Sequence, residues 1–173
     1  MTFKLDQSLQ LLERTPAILN NLLRGLPDEW IYNTEGAGTW SAFDVVGHLI
    51  VCEQTDFISR TELILSDSTN KIFAPLDMEL QFEMNKGKKL PELLDEFAGL
   101  RKKNIQKIIA LNLSTGDFEK TGVHPKVGEA TLKELLATWV AHDLNHIAQI
   151  TRIMATQYKT EVGPFIEFLS IIK

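Results

Sequence analysis

A chain of 173 residues with 44% hydrophobic content is long enough for one domain with a proper core and too short to expect two, so residues 1–173 are read as a single domain. Its formal net charge of -5 and pI near 5.4 leave no cluster of Lys and Arg able to neutralise a phosphate backbone, which argues against a nucleic-acid partner. The single cysteine, Cys52, excludes an intramolecular disulfide and fits a reducing compartment.

Helical periodicity dominates the chain. The first predicted helix spans about Leu5 to Arg24, with Leu9, Leu12, Leu19, Leu22 and Leu23 spaced by threes and fours and with Pro16 kinking or restarting it. Lys4, Asp6 and Gln7 interrupt the apolar residues at its start, so Met1 to Leu12 does not read as a signal peptide. Gly25 and Pro27 end the helix, and Asp28 to Thr39, with Gly36 and Gly38, reads as a loop. A second helix opens at Ser41, which with Asp44 forms an acidic variant of the capping box, and continues to about Ser66.

The stretch Asp67 to Lys89 is polar, with a short helix expected around Met78 to Asn85. A third long helix runs from about Pro91 to Leu111, with Pro91 in the first turn. The short basic run Lys86 to Lys89, with Arg101, Lys102 and Lys103 nearby, reads as a solvated helix face. Gly116, Gly122, Pro125 and Gly128 predict turns or a small hairpin between Asn112 and Ala130. Thr131 and Glu134 form a second capping box, and the fourth helix reaches about Tyr158. Gly163 and Pro164 separate it from a short apolar tail, Phe165 to Ile172. Four such helices in one domain predict an all-α four-helix bundle with a short C-terminal helix. The two long connections permit an order other than up-down-up-down. No segment approaches 18 consecutive apolar residues, so no membrane partner is expected and the chain reads as soluble and cytoplasmic.

The fourth helix carries an inward stripe of Leu132, Leu135, Trp139, His142, His146, Gln149 and Ile153, and the second carries Val45, His48, Cys52 and Thr55. Two histidines four apart lie about 6 Å apart along the helix axis on one face, so their imidazoles can converge on one ion. Three imidazoles at positions where leucine would pack best imply several kcal/mol of desolvation that a shared ion relieves. His48, His142 and His146 are therefore the candidate metal ligands, with one coordination position left open, as in catalytic rather than structural sites.

His124, beside Pro125, reads as a loop residue. Cys52, one turn after His48, is a soft donor within reach of the site, although packing is the commoner role of a buried cysteine. Asp143 points some 100° away from His142 and reads as an orienting or surface carboxylate. Glu53, Asp143 and Asp44 are the carboxylates available for acid or base work, none placed clearly by the sequence. Trp30, Trp40 and Trp139 read as core or pocket-wall aromatics. The turn from Glu35 to Trp40 is expected to overhang the ion, with Trp40 either walling a pocket or packing at the helix entry.

Thr39-Trp40-Ser41-Ala42-Phe43-Asp44-Val45-Val46-Gly47-His48-Leu49, followed by Glu53, resembles the first signature of the DinB/YfiT-like superfamily. His142-Asp143-Leu144-Asn145-His146-Ile147-Ala148-Gln149-Ile150 resembles its second, at a similar spacing. The resemblance covers nearly the whole chain. It implies a four-helix bundle of unusual topology, often homodimeric, with a divalent metal on His48, His142 and His146 and water completing the shell. Relatives implied by the resemblance include transferases that attach bacillithiol or related low-molecular-weight thiols to electrophiles, and a mycothiol-dependent maleylpyruvate isomerase.

The expectation that follows is a metal-dependent thiol S-transferase acting on a small-molecule electrophile, with a metal-dependent hydrolase and a non-catalytic metal-binding dimer as rivals. Zinc is the expected ion, and nickel or iron also accept nitrogen ligands. A low-molecular-weight thiol is the expected cosubstrate. The apolar tail, with Phe165, Ile166, Phe168, Leu169, Ile171 and Ile172, either covers its own bundle or forms a homodimer contact.

Overall fold

Two capping boxes fix where the site-bearing helices begin. Ser41 Oγ accepts from the Asp44 amide at 3.2 Å while the Asp44 carboxylate accepts from the Ser41 amide at 2.9 Å. Thr131 and Glu134 repeat the exchange at 3.2 and 2.8 Å. Each pair satisfies two of the amides that a helix start leaves open.

The computed structural model describes residues 2–173. Eight α-helices follow in order: α1 (Leu5–Leu12), α2 (Thr15–Leu23), α3 (Asp28–Tyr32), α4 (Ala42–Thr55), α5 (Phe57–Leu65), α6 (Leu80–Met84), α7 (Leu90–Ala110) and α8 (Leu132–Thr156). A two-stranded antiparallel hairpin, β1 (Thr121–His124) and β2 (Gly128–Thr131), precedes α8. The all-α expectation holds, and Pro16 restarts the first helix as a separate α2, at a first-turn position where a missing amide costs nothing. Two local differences follow. The expected loop after Pro27 holds the short α3. The second helix breaks at Asp56, whose backbone leaves the helical region at φ -109 and ψ -91. The tail forms two 3-10 turns, Gly163–Phe168 and Ser170–Ile172, and tucks Ile172 beside α8.

Four rods build the bundle: α1 with α2, α4 with α5, α7, and α8. Both α4 and the first rod pack on α7 and α8, so the first and second rods face each other across the diagonal. Gln54 meets Glu96 and Glu62 meets Lys107, so the second and third rods run parallel. His48 lies beside His146 and Phe57 beside Trp139, so the second and fourth are antiparallel. A parallel pair needs a connection along the full bundle length, which residues 67–89 supply. That crossover is pinned at one end where Phe73 and Lys71 pair with Val123. At the other end, α6 lies so close to α4 that a Cβ on Gly47 would sit 2.4 Å from the Asn85 amide nitrogen.

The core falls into two apolar clusters. One is built on Leu23, Val46, Ile50, Leu93 and Phe97, the other on Leu12, Ile64, Ile108, Leu132 and Trp139. Among the described residues, no helix is long and apolar enough to cross a membrane.

Candidate metal centre

Half-way along α4, and in the middle of α8, the three histidines meet. His48 and His146 are 3% and 7% exposed, and His142 is half-buried. His142 Nε2 lies 3.3 Å from His48 Nε2 and 3.1 Å from His146 Nε2. All three ligand atoms fall within 4.8 Å of one another, and among the described residues no other group of three or more histidine, cysteine or acidic side chains is so placed.

Three nitrogens bound tetrahedrally to one ion at about 2.0–2.1 Å lie about 3.3 Å apart, close to the 3.3 and 3.1 Å that separate His142 from His48 and from His146. Without an ion, either three lone pairs would point at a common centre or at least one ring would have to turn a proton inward. Gln149 argues for the former arrangement. Its amide oxygen stands 2.8 Å from His146 Nδ1, which places the proton there and leaves Nε2 bare. Burial, with the charge of His146 adding to it, holds His48 down at about 4. Burial and the neighbouring His146, His48 and Arg101 charges hold His142 at about 3. Burial lowers His146 too, against the Gln149 hydrogen bond and Asp143. Neutral imidazole is the form that binds a metal, so near neutral pH the donor set fits a divalent ion.

Around these rings the wall is largely apolar. The Trp40 ring lies 5.0 Å from that of His48, and Phe57 lies edge-on 5.3 Å from His142. Trp40 also packs against the core cluster that includes Val45, so it serves both as a cover for His48 and as packing at the helix entry. Its turn is anchored from outside, where Glu35 receives the Arg152 guanidinium at 2.6 Å. Cys52 Sγ sits 3.5 Å from His48 Nε2 and 3.9 Å from His142 Nε2, is 1% exposed, and belongs to an apolar cluster. Burial first, then the nearby Asp56 and Glu53 charges, push its thiol up.

Three sequence readings place differently. Arg101 is not on a solvated face but 1% exposed, because it falls on the inward stripe of α7 with Leu94, Phe97, Asn104 and Ile108. Glu53 and Asp143, the acid-base candidates, are taken up by it. Glu53 Oε1 accepts from Arg101 Nε and Nη2 at 3.0 and 2.8 Å and from Trp139 Nε1 at 3.0 Å, and its Oε2 accepts from Asn104 at 3.0 Å. Asp143 accepts from Arg101 at 2.5 and 2.9 Å and from Thr15 Oγ1 at 2.6 Å. Trp139 is fully buried, stacked on Phe57 and bonded to Glu53, so it is a core aromatic and not a pocket wall. Asp44 is spent on the capping box, and His124 lies in the hairpin. Thr15, Asn104 and Arg101 escaped the sequence reading, although the three-four spacing of Arg101 was the available signal.

The DinB superfamily model matches residues 11–150. A Bacillus cereus protein named "Putative metal-dependent hydrolase" is 26% identical over 150 residues, spanning 86% of this chain and 84% of its own. A Bacillus thuringiensis protein of the same description matches equally. Among solved structures, YfiT from Bacillus subtilis, described as "a probable metal-dependent hydrolase with an unusual four-helix bundle topology", superposes with a TM-score of 0.71 at 22% identity over 87% of each chain. With its family model spanning most of its length and its helices in the same bundle architecture, the chain belongs to the DinB superfamily.

Proposed function

We propose that this protein is a metal-dependent enzyme that joins a low-molecular-weight thiol to a small electrophile. The observation that supports it is the convergence of three neutral imidazoles beside carboxylates that are already saturated with hydrogen bonds. His48, His142 and His146 would hold the ion, and Gln149 keeps His146 in the tautomer that suits it. A divalent ion there would supply Lewis acidity that lowers the pKa of a thiol to near neutral pH.

Trp40 offers apolar surface to the electrophile, and the buried Phe57 keeps water from the inner side of His142. The half-buried His142 marks the side open to it. The thiol proton passes to solvent, a sulfur–carbon bond forms, and the leaving group departs with the electron pair of the broken bond. That sequence asks for no protein acid, which suits a site whose nearest carboxylates, Glu53 and Asp143, have no oxygen without a donor.

A second reading, hydrolysis, draws on the names of the Bacillus relatives. It asks for a base to activate water and an acid to protonate the leaving group. Protein loaded in turn with zinc, nickel or manganese and mixed with monochlorobimane and a panel of thiols tests the choice. Accelerated conjugation that needs both metal and one particular thiol, with loss of chloride, is the expected result. Metal-dependent ester or amide cleavage with no thiol requirement overturns it.

A further inference from the structure

Arg101 sits at the centre of the bundle and touches all four rods. Its guanidinium reaches Glu53 on α4, Asp143 on α8 and the Leu12 carbonyl on α1, the last at 2.9 Å. The rings of Phe97 and Trp139 flank it at 4.9 and 5.1 Å. Every contact to Glu53 and Asp143 comes from a donor, the pattern of two ionised carboxylates. Two carboxylates against one guanidinium leave a formal charge of -1 sealed in the core. The nearby Asp56–Arg60 pair is balanced and adds nothing to that sum.

A buried excess charge is costly unless something opposite lies near it. The neutral histidine cluster is the adjoining element able to take up positive charge: Asp143 follows His142 directly, and Glu53 lies between Cys52 and the next turn of the helix that bears His48.

We propose that Glu53, Arg101 and Asp143 form a charged positioning unit of the metal centre, whose net negative charge favours a divalent cation on the three histidines and whose Arg101 clamp fixes α4 against α8. The unit touches neither ion nor substrate. It acts by holding the two ligand-bearing helices in register and by lowering the energy of a cation between them, as hydrogen-bonded outer partners of a metal site do. The inference rests on the reading that the histidines bind a metal.

The test is zinc affinity, read by competition with a chromophoric chelator, for the whole chain and for Glu53→Gln, Asp143→Asn and Leu135→Ala. Each of the first two removes one negative charge without touching a histidine. Leu135→Ala damages the buried packing of α8 and leaves the charge alone. Weakening of roughly 10–100-fold in the two charge variants, with Leu135→Ala within about threefold of wild type, is expected. Equal affinities throughout overturn the inference and leave the metal reading standing. Affinity that falls in step with thermal stability in all three variants reduces the unit to a structural ion pair and also overturns it. A wild-type chain that binds no zinc, nickel or manganese removes the metal reading itself. If Asp143→Asn does not fold, Glu53→Gln with its own melting curve carries the same decision.

Discussion

Replacing Arg101 with methionine keeps much of the side-chain volume and removes the guanidinium. Five hydrogen bonds go with it, two to Glu53, two to Asp143 and one to the Leu12 carbonyl. The Glu53 and Asp143 side chains are 1% and 3% exposed, so neither can turn to water for compensation. Breaking one partner out of a buried pair costs about 3–5 kcal/mol, because the charges left behind have lost their hydration and gained nothing. For a chain of this size, about 2–4 °C of melting temperature accompanies each kcal/mol, so Arg101→Met lowers Tm by roughly 6–20 °C. Lys103→Met, on the exposed face of the same helix, moves stability by no more than about 0.5 kcal/mol. Urea and thermal unfolding followed by circular dichroism measure both. Replacing Glu53, Arg101 and Asp143 together by apolar residues recovers much of the loss, since no charge then remains buried. An Arg101→Met protein within about 1 kcal/mol of wild type refutes the claim that this ion pair locks the bundle.

Acid weakens the metal-free protein through its histidines. His48 and His142 take up protons near 4 and 3 when folded but near 6.5 when unfolded. The unfolded chain therefore binds protons first, and stability, complete above pH 6.5, falls by about 2 kcal/mol per histidine by pH 5. Urea midpoints that coincide at pH 7 and pH 5 would contradict the buried, neutral assignment. Trp40→Ala leaves metal content intact and raises KM for an apolar electrophile about tenfold, for a loss of about 1.4 kcal/mol of contact. Unchanged KM with a large drop in Tm makes Trp40 purely a packing residue. Phe165 and Phe168 stand 68% and 83% exposed, and a homodimer through this tail gives twice the 19.6 kDa chain mass by light scattering. A monomer at tens of micromolar removes the dimer.

The histidine cluster was legible because side chains that converge between helices obey spacing. His142 and His146 at i and i+4, and His48 on an otherwise apolar stripe, announce themselves in one dimension. The helix starts were legible for the same reason, since a capping box is a local exchange of two hydrogen bonds. The Arg101 unit was not, because its logic is long-range. Nothing near Arg101 in sequence says that its partners are Glu53 and Asp143, and flanking Lys102 and Lys103 make it look solvated. The break at Asp56 was equally hidden. Residues 42–65 carry an unbroken helical pattern, and the interruption comes from backbone at one buried residue that binds Arg60. The parallel arrangement of the second and third rods likewise depended on where a polar connection of mixed composition chose to run.

The proposed function depends on one ion held by His48, His142 and His146. Elemental analysis of the protein as purified, beside His142→Ala and His146→Ala that retain the helical circular dichroism of wild type, addresses that directly. About one divalent ion per wild-type chain, and its loss from both variants, is the expected result. Variants that keep as much metal as wild type contradict the ligand set and the function built on it.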